Sequence, residues 1–122
     1  MSLRKRILVV DDEPKIRRLL REVLELREYE VMTAADGPEA LEQLKGQPVD
    51  LILLDVVMPK MDGWEVLKRL RRHHKTRSIP TIMLTAKGET GDLLRSEDLR
   101  ATDHFIKPFE VEELLAFIRR YI

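Results

Sequence analysis

Short apolar runs recur along the chain at residues 7–10, 30–34, 51–54, 81–84 and 104–106, and each reads as a strand. Ile7-Leu8-Val9-Val10 and Leu51-Ile52-Leu53-Leu54 do not alternate with polar residues, so both faces of those strands are expected to be covered. Helical periodicity fills the gaps. Ile16, Leu19, Leu20, Val23 and Leu24 form one stripe, and Pro14 suits the first turn, where a missing N–H costs nothing. A second helix is predicted over residues 38–45, ended by Gly46 and Pro48. A third starts near Asp62-Gly63 and turns Val66, Leu67 and Leu70 inward. The last carries Val111, Leu114, Leu115, Ile118 and Ile122. Between the fourth and fifth runs, Gly88 and Gly91 weaken any helix, and Leu93, Leu94 and Leu99 give only a ragged stripe. That segment is expected to be short, mobile or irregular. Strands alternating with helices predict an α/β fold. The expected form is a flavodoxin-like doubly wound sheet of five parallel strands, order 2-1-3-4-5, with five helices.

The 122 residues suffice for one domain over 1–122. Lys+Arg and Asp+Glu are 22 each, so net charge supplies no general attraction to nucleic acid or an anionic membrane. No cysteine is present, which excludes disulfide and thiol chemistry and fits a cytoplasmic location. No apolar run approaches the ~20 residues of a membrane span.

The candidate chemistry lies at strand ends. Asp55 closes one buried run, and Asp11-Asp12-Glu13 follows another. Open α/β sheets bind ligands at the carboxyl ends of their strands, so these acids are expected to share a pocket. Crowded carboxylates raise one another's pKa, and a hard divalent cation such as Mg²⁺ relieves that repulsion. Thr85 ends the fourth run, and Lys107 follows the fifth, reaching the same edge. A carboxylate nucleophile, a metal, a hydroxyl and an ammonium together suit phosphoryl transfer. Lys107-Pro108 is a candidate cis peptide that would re-aim the lysine into the pocket. Read more simply, Asp11-Asp12-Glu13 caps a helix, but that leaves Asp55 and Lys107 without a role.

Val9-Val10-Asp11-Asp12-Glu13, Leu53-Leu54-Asp55-Val56-Val57-Met58-Pro59-Lys60-Met61-Asp62-Gly63, Leu84-Thr85-Ala86 and Phe105-Ile106-Lys107-Pro108-Phe109 resemble, in order and spacing, the signature of response-regulator receiver domains. The resemblance covers essentially the whole chain. It implies a two-component phosphorelay protein that is not an enzyme in its own right. Its Asp55 would accept a phosphoryl group from a histidine kinase or histidine phosphotransfer protein, or from small phosphodonors with Mg²⁺. The implied Mg²⁺ ligands are Asp12, Asp55 and the backbone carbonyl of Val57, with Asp11 acting through water. Thr85, Ala86 and Lys107 would contact the phosphoryl group, while Pro59, Gly63 and Pro108 would have structural roles. Residues two past the acceptor line the path of hydrolytic water in this family. Val57 stands there and cannot hydrogen-bond, so self-dephosphorylation should be slow.

Some positions depart from the family pattern. The aromatic switch partner of Thr85 is replaced by His104, either a titratable switch or a surface histidine without a role. Leu93 and Phe117 occupy two arginine positions of the charged dimer face of winged-helix regulators. The expectation is therefore a monomer or weak dimer. Leu93, Phe117 and Tyr121 form either an apolar contact patch for an unknown output partner or a semi-buried cluster. Arg71-Arg72-His73-His74-Lys75 reads as a solvated helix end, and Trp64 as partly exposed packing near the site. No direct nucleic-acid or membrane binding is expected. The chain is either a stand-alone regulator or the receiver of a longer one. Two other classes fit less well. A flavodoxin-like electron carrier would need a phosphate-binding first loop unlike Asp11-Asp12-Glu13-Pro14, and aspartyl-phosphate hydrolases carry Asp-x-Asp after the first strand.

Overall fold

The computed structural model describes residues 4–86 and 100–122. Five strands, β1 (Arg6–Val10), β2 (Glu30–Ala34), β3 (Leu51–Asp55), β4 (Thr81–Ala86) and β5 (Asp103–Lys107), form one sheet in the order β2-β1-β3-β4-β5. Every pairing is parallel, as the sequence predicts. The helices among the described residues are α1 (Pro14–Leu26), α2 (Gly37–Gly46), α3 (Gly63–Arg72) and α4 (Val111–Arg119). The ragged segment after β4, with Leu93, lies outside the described residues, so four helices stand where five are predicted.

The unbroken apolar runs are explained by two cores, one on each face of the sheet. Successive strand side chains point to opposite faces. Leu8, Val10, Ile52, Leu54 and Met83 therefore pack under α2 and α3 with Ala40, Trp64, Val66, Leu67 and Leu70. Ile7, Val9, Leu51, Leu53, Ile82 and Leu84 pack on the other face with Leu20 and Leu24 of α1 and Leu114, Leu115 and Ile118 of α4. At roughly 1.5–3 kcal/mol per fully buried large aliphatic side chain, these layers are the main stabilising term.

Element ends follow local hydrogen bonding. β1 begins at Arg6 because its N–H donates to Asp50 Oδ2 at 2.7 Å and its guanidinium pairs with Glu30 at 3.3 Å. α2 starts one residue before the predicted position. Asp36 accepts from the Glu39 N–H at 2.9 Å, and Glu39 Oε2 accepts from the Ala35 N–H at 2.9 Å, a reciprocal cap. Asp62 caps α3 by accepting from the Glu65 N–H at 2.9 Å.

Two expectations are corrected. Trp64 is only 2% exposed and belongs to the α2/α3 core instead of the pocket rim. Arg71 is 9% exposed, not part of a solvated helix end. Its guanidinium donates to the carbonyls of Arg100 at 3.0 Å and Ile79 at 3.2 Å. A buried cation needs such partners, and these tie the end of α3 to the approaches of both β4 and β5. Burial lowers the pKa of Arg71, and the neighbouring Arg100 charge adds to this.

Candidate functional site

The strand order reverses between β1, which leads outward to β2, and β3, which leads the other way. The crevice above that switch point is where this architecture binds ligands. Asp55 is the last residue of β3, and Asp11 directly follows β1. Thr85 and Ala86 end β4, and Lys107 is the last residue of β5, not the first beyond it. All the predicted strand-end groups thus meet at one edge.

Lys107 joins the acids. Its Nζ donates to Asp11 Oδ2 at 2.9 Å and to Asp55 Oδ1 at 3.2 Å. The Lys107-Pro108 bond is cis. Asp11 is fully buried, and both its carboxylate oxygens are engaged, since Oδ1 accepts from the Glu13 N–H at 2.9 Å. Asp55 is 6% exposed, whereas Asp12 is exposed and forms no hydrogen bond or ion pair with the described residues. Carboxylate oxygens of Asp11, Asp12 and Asp55 all lie within 4.8 Å of one another.

One lysine does not neutralise three acids. The Asp55 carboxyl is pushed up to about 6, first by burial and then by the Asp11 charge; Lys107 pulls the other way, and Asp12 adds to the rise. Burial disfavours the charged form of Lys107, yet its pKa is raised because the hydrogen bond and charge of Asp11, followed by those of Asp55, outweigh that penalty. The pocket therefore keeps an excess of buried negative charge. Hard oxygen donors in surplus fit a hard divalent cation, and Mg²⁺ is bound in such sites through one or two carboxylates.

The loop after β3 is fixed by close packing. The Gly63 N–H donates to the Val56 carbonyl at 2.7 Å, and the Val56 N–H donates to the Leu84 carbonyl at 3.0 Å. Lys60 has a left-handed backbone, φ 68°, and its Nζ pairs with Asp36 at 3.2 Å. Pro59 precedes that turn, and its carbonyl accepts from the Met61 N–H at 2.7 Å. Val57, two residues past Asp55, is 61% exposed. Thr85 is buried, and its hydroxyl donates to the Phe105 carbonyl at 3.4 Å. His104 is half-buried and registers with Met83, two steps before the Thr85 pair with Ile106 and on the same side of the sheet as it. Phe117 is also half-buried, stacked edge-on to Phe105 with ring centroids 4.8 Å apart.

Sequence reasoning missed Arg17, which donates to the Asp11 carbonyl at 2.7 Å and steadies the β1 end, and the Lys60–Asp36 clamp. Arg17 had a legible signal, since it lies one helical turn past Glu13 and faces back along the first turn.

A parallel sheet carrying this acid–lysine pocket at its switch point defines a phosphorelay signalling module. The chain belongs to the response regulator receiver domain family, whose model matches residues 7–119. It is the receiver domain of a two-component system. It is 49% identical over 116 residues to a probable transcriptional regulator, ycf27, of Cyanophora paradoxa, covering 95% of this chain and 47% of that protein. It is 44% identical to the DNA-binding dual master transcriptional regulator RpaA of a Synechocystis strain, covering 93% and 47%. The chain spans about half the length of these relatives. The chemotaxis protein CheY4 of Vibrio cholerae superposes with a TM-score of 0.92 at 35% identity, covering 98% of this chain and 99% of that one. No helix among the described residues is long and apolar enough to cross a membrane.

Proposed function

We propose that Asp55 is the phosphoryl acceptor and that residues 1–122 act as one receiver unit. The observation that carries this reading is the shared ion pair of Lys107 with Asp11 and Asp55. It holds an ammonium beside a strand-end carboxylate, where charge builds on a transferring phosphoryl group. An Asp55 oxygen attacks phosphorus, an O–P bond forms, and the P–N bond to the donor histidine breaks. The electron pair of that bond stays on the imidazole nitrogen, which takes up a proton. Lys107 turns from Asp55 toward the phosphoryl oxygens, while the Thr85 hydroxyl leaves the Phe105 carbonyl and, with the Ala86 N–H, donates to them. Asp12, Asp55 and the Val57 carbonyl would hold Mg²⁺, with Asp11 acting through water. The engagement of both Asp11 oxygens, against the openness of Asp12, supports that division. When bound, the ion supplies positive charge toward the phosphoryl oxygens.

The donor is a histidine kinase or histidine phosphotransfer protein. After transfer, Thr85 moves inward and His104 follows into the space released, a shift between two populated states. The output partner or domain reads that shift. The names of the relatives support a DNA-binding output domain in the full-length protein. This chain itself would bind no nucleic acid, would be a monomer or weak dimer, and would act in the cytoplasm.

Mass spectrometry after incubation with acetyl phosphate and Mg²⁺ tests the assignment. One phosphoryl group is expected on Asp55 and none on Asp55→Asn; undiminished labelling of that variant refutes the acceptor. A further result concerns signal lifetime. Exposed and apolar, Val57 gives hydrolytic water nothing to bind, and orienting that water needs a polar group. Val57→Asn is expected to lose its phosphoryl group severalfold faster than the parent protein. Decay at the parent rate would show that Val57 does not protect the acyl phosphate.

A further inference from the structure

A cleft of about 360 Å³ separates α2 from α3, away from the acid pocket. Its floor is apolar, made of Leu41, Leu44 and Leu70, and Lys45, Arg69 and Lys75 stand around it. Leu70 is buried, while Leu41 and Leu44 are half-buried and face the opening. The floor therefore has aliphatic surface that the core does not cover. The rim is part of a larger asymmetry. Residues 66–88 contain no acidic residue, although the chain as a whole carries no net charge. Lys68, Arg69 and Arg72 are exposed at helical spacing on α3, and His73, His74, Lys75 and Arg77 continue the exposed basic surface beyond it. Glu42 and Glu65 pair with Lys45 and Arg69 at 3.3 and 3.1 Å, but these are exposed pairs of little energy that a competing carboxylate can replace.

We propose that this cleft docks an acidic peptide segment of a partner protein, with aliphatic anchors seated on the Leu41–Leu44–Leu70 floor and carboxylates on the Lys45–Arg69–Lys75 rim. The two halves of the surface select this occupant together. Nucleic acid would use the cations, but the floor is aliphatic, and the ring that lines the cleft, His73, is already stacked on His74 with centroids 5.0 Å apart, so the leucines would stay uncovered. An anionic membrane would also use the cations, but the leucines are recessed between helices instead of projecting toward acyl chains. An acidic amphipathic helix satisfies both, laying apolar positions at i, i+3 and i+4 into a groove and keeping charge on the flanks. The cleft does not include the acceptor residues, so the proposal stands apart from the assignment of Asp55.

Fluorescence anisotropy of a labelled helical peptide built from repeating Glu-Leu-Leu-Glu units tests this. Saturable one-site binding is expected, weakening as salt rises. A peptide with serine at every leucine position should bind at least tenfold more weakly. Leu44→Asp, which alters a half-buried position, should weaken the leucine peptide at least tenfold, as should the surface variant carrying both Arg69→Glu and Lys75→Glu. Circular dichroism melts check that each variant is folded. Equal binding of the two peptides, or parental binding by the charge-reversed variant, overturns the proposal. So does capture of the protein by phosphatidylglycerol vesicles without binding of the peptide.

Discussion

Gly63→Ala is expected to destabilise the fold by about 2–3 kcal/mol and to slow phosphorylation of Asp55. A Cβ at this position would strike the carbonyl oxygen of Asp55, and it would lie 2.9 Å from Val56 Cα and 3.0 Å from the Asp55 carbonyl carbon. These are backbone atoms of the β3 end and the first loop residue, so no side-chain rotation makes room. The smallest substitution available therefore forces β3 and α3 apart at the point where the acceptor carboxylate is aimed. Urea unfolding measures the first effect, and the initial rate of labelling by acetyl phosphate the second. A variant with the parent midpoint and the parent rate would show that the contact is not rigid.

Asp55→Asn is expected to stabilise the protein by about 1–2 kcal/mol at pH 7, once solvent screening is allowed for. The sign follows from the raised pKa. A carboxyl whose folded-state value lies near 6, above its ordinary 3.8, favours the folded state while protonated. That contribution is complete below about pH 4 and is lost as the pH climbs through about 6. Asparagine keeps the shape and removes the charge, so its advantage should be largest above pH 6 and should vanish near pH 4. Thermal melts across that range read the difference, which corresponds to roughly 5 °C at neutral pH. Mg²⁺ should narrow the gap, because it stabilises the parent more than a variant that has lost a ligand. An asparagine variant less stable than the parent at pH 7 would mean that the pull of Lys107 on Asp55 exceeds the penalties of burial and Asp11.

The strands were readable because both faces of the sheet are covered, which leaves unbroken apolar runs such as Leu51-Ile52-Leu53-Leu54. Asp11, Asp55, Thr85 and Lys107 were readable because each interrupts or closes such a run, and parallel strands bring their carboxyl ends to one edge. Arg71 and Trp64 were misread for a common reason. Helical periodicity assigns a face by residue type, so a cation is sent outward and an aromatic beside a pocket is left at its rim. The geometry that buries them comes from distant carbonyls and from packing against α2, and no local pattern encodes either. The left-handed turn at Lys60 was equally hidden, because a lysine carries no preference for it. The start of α2 was legible after all in the pair Asp36 and Glu39, whose spacing is that of a reciprocal cap.

The Arg71 clamp gives α3 a property that ordinary surface helices lack. At its first residue, Gly63 is jammed against the acceptor strand; at its last turn, Arg71 grips carbonyls at Ile79 and Arg100. A helix fixed at both ends behaves as a strut. It cannot slide along its axis to absorb a change in the Val56–Gly63 hydrogen bond without also loading the approaches to β4 and β5. Strain created at the acceptor therefore has a mechanical route to the opposite end of the sheet that bypasses the Thr85 hydroxyl.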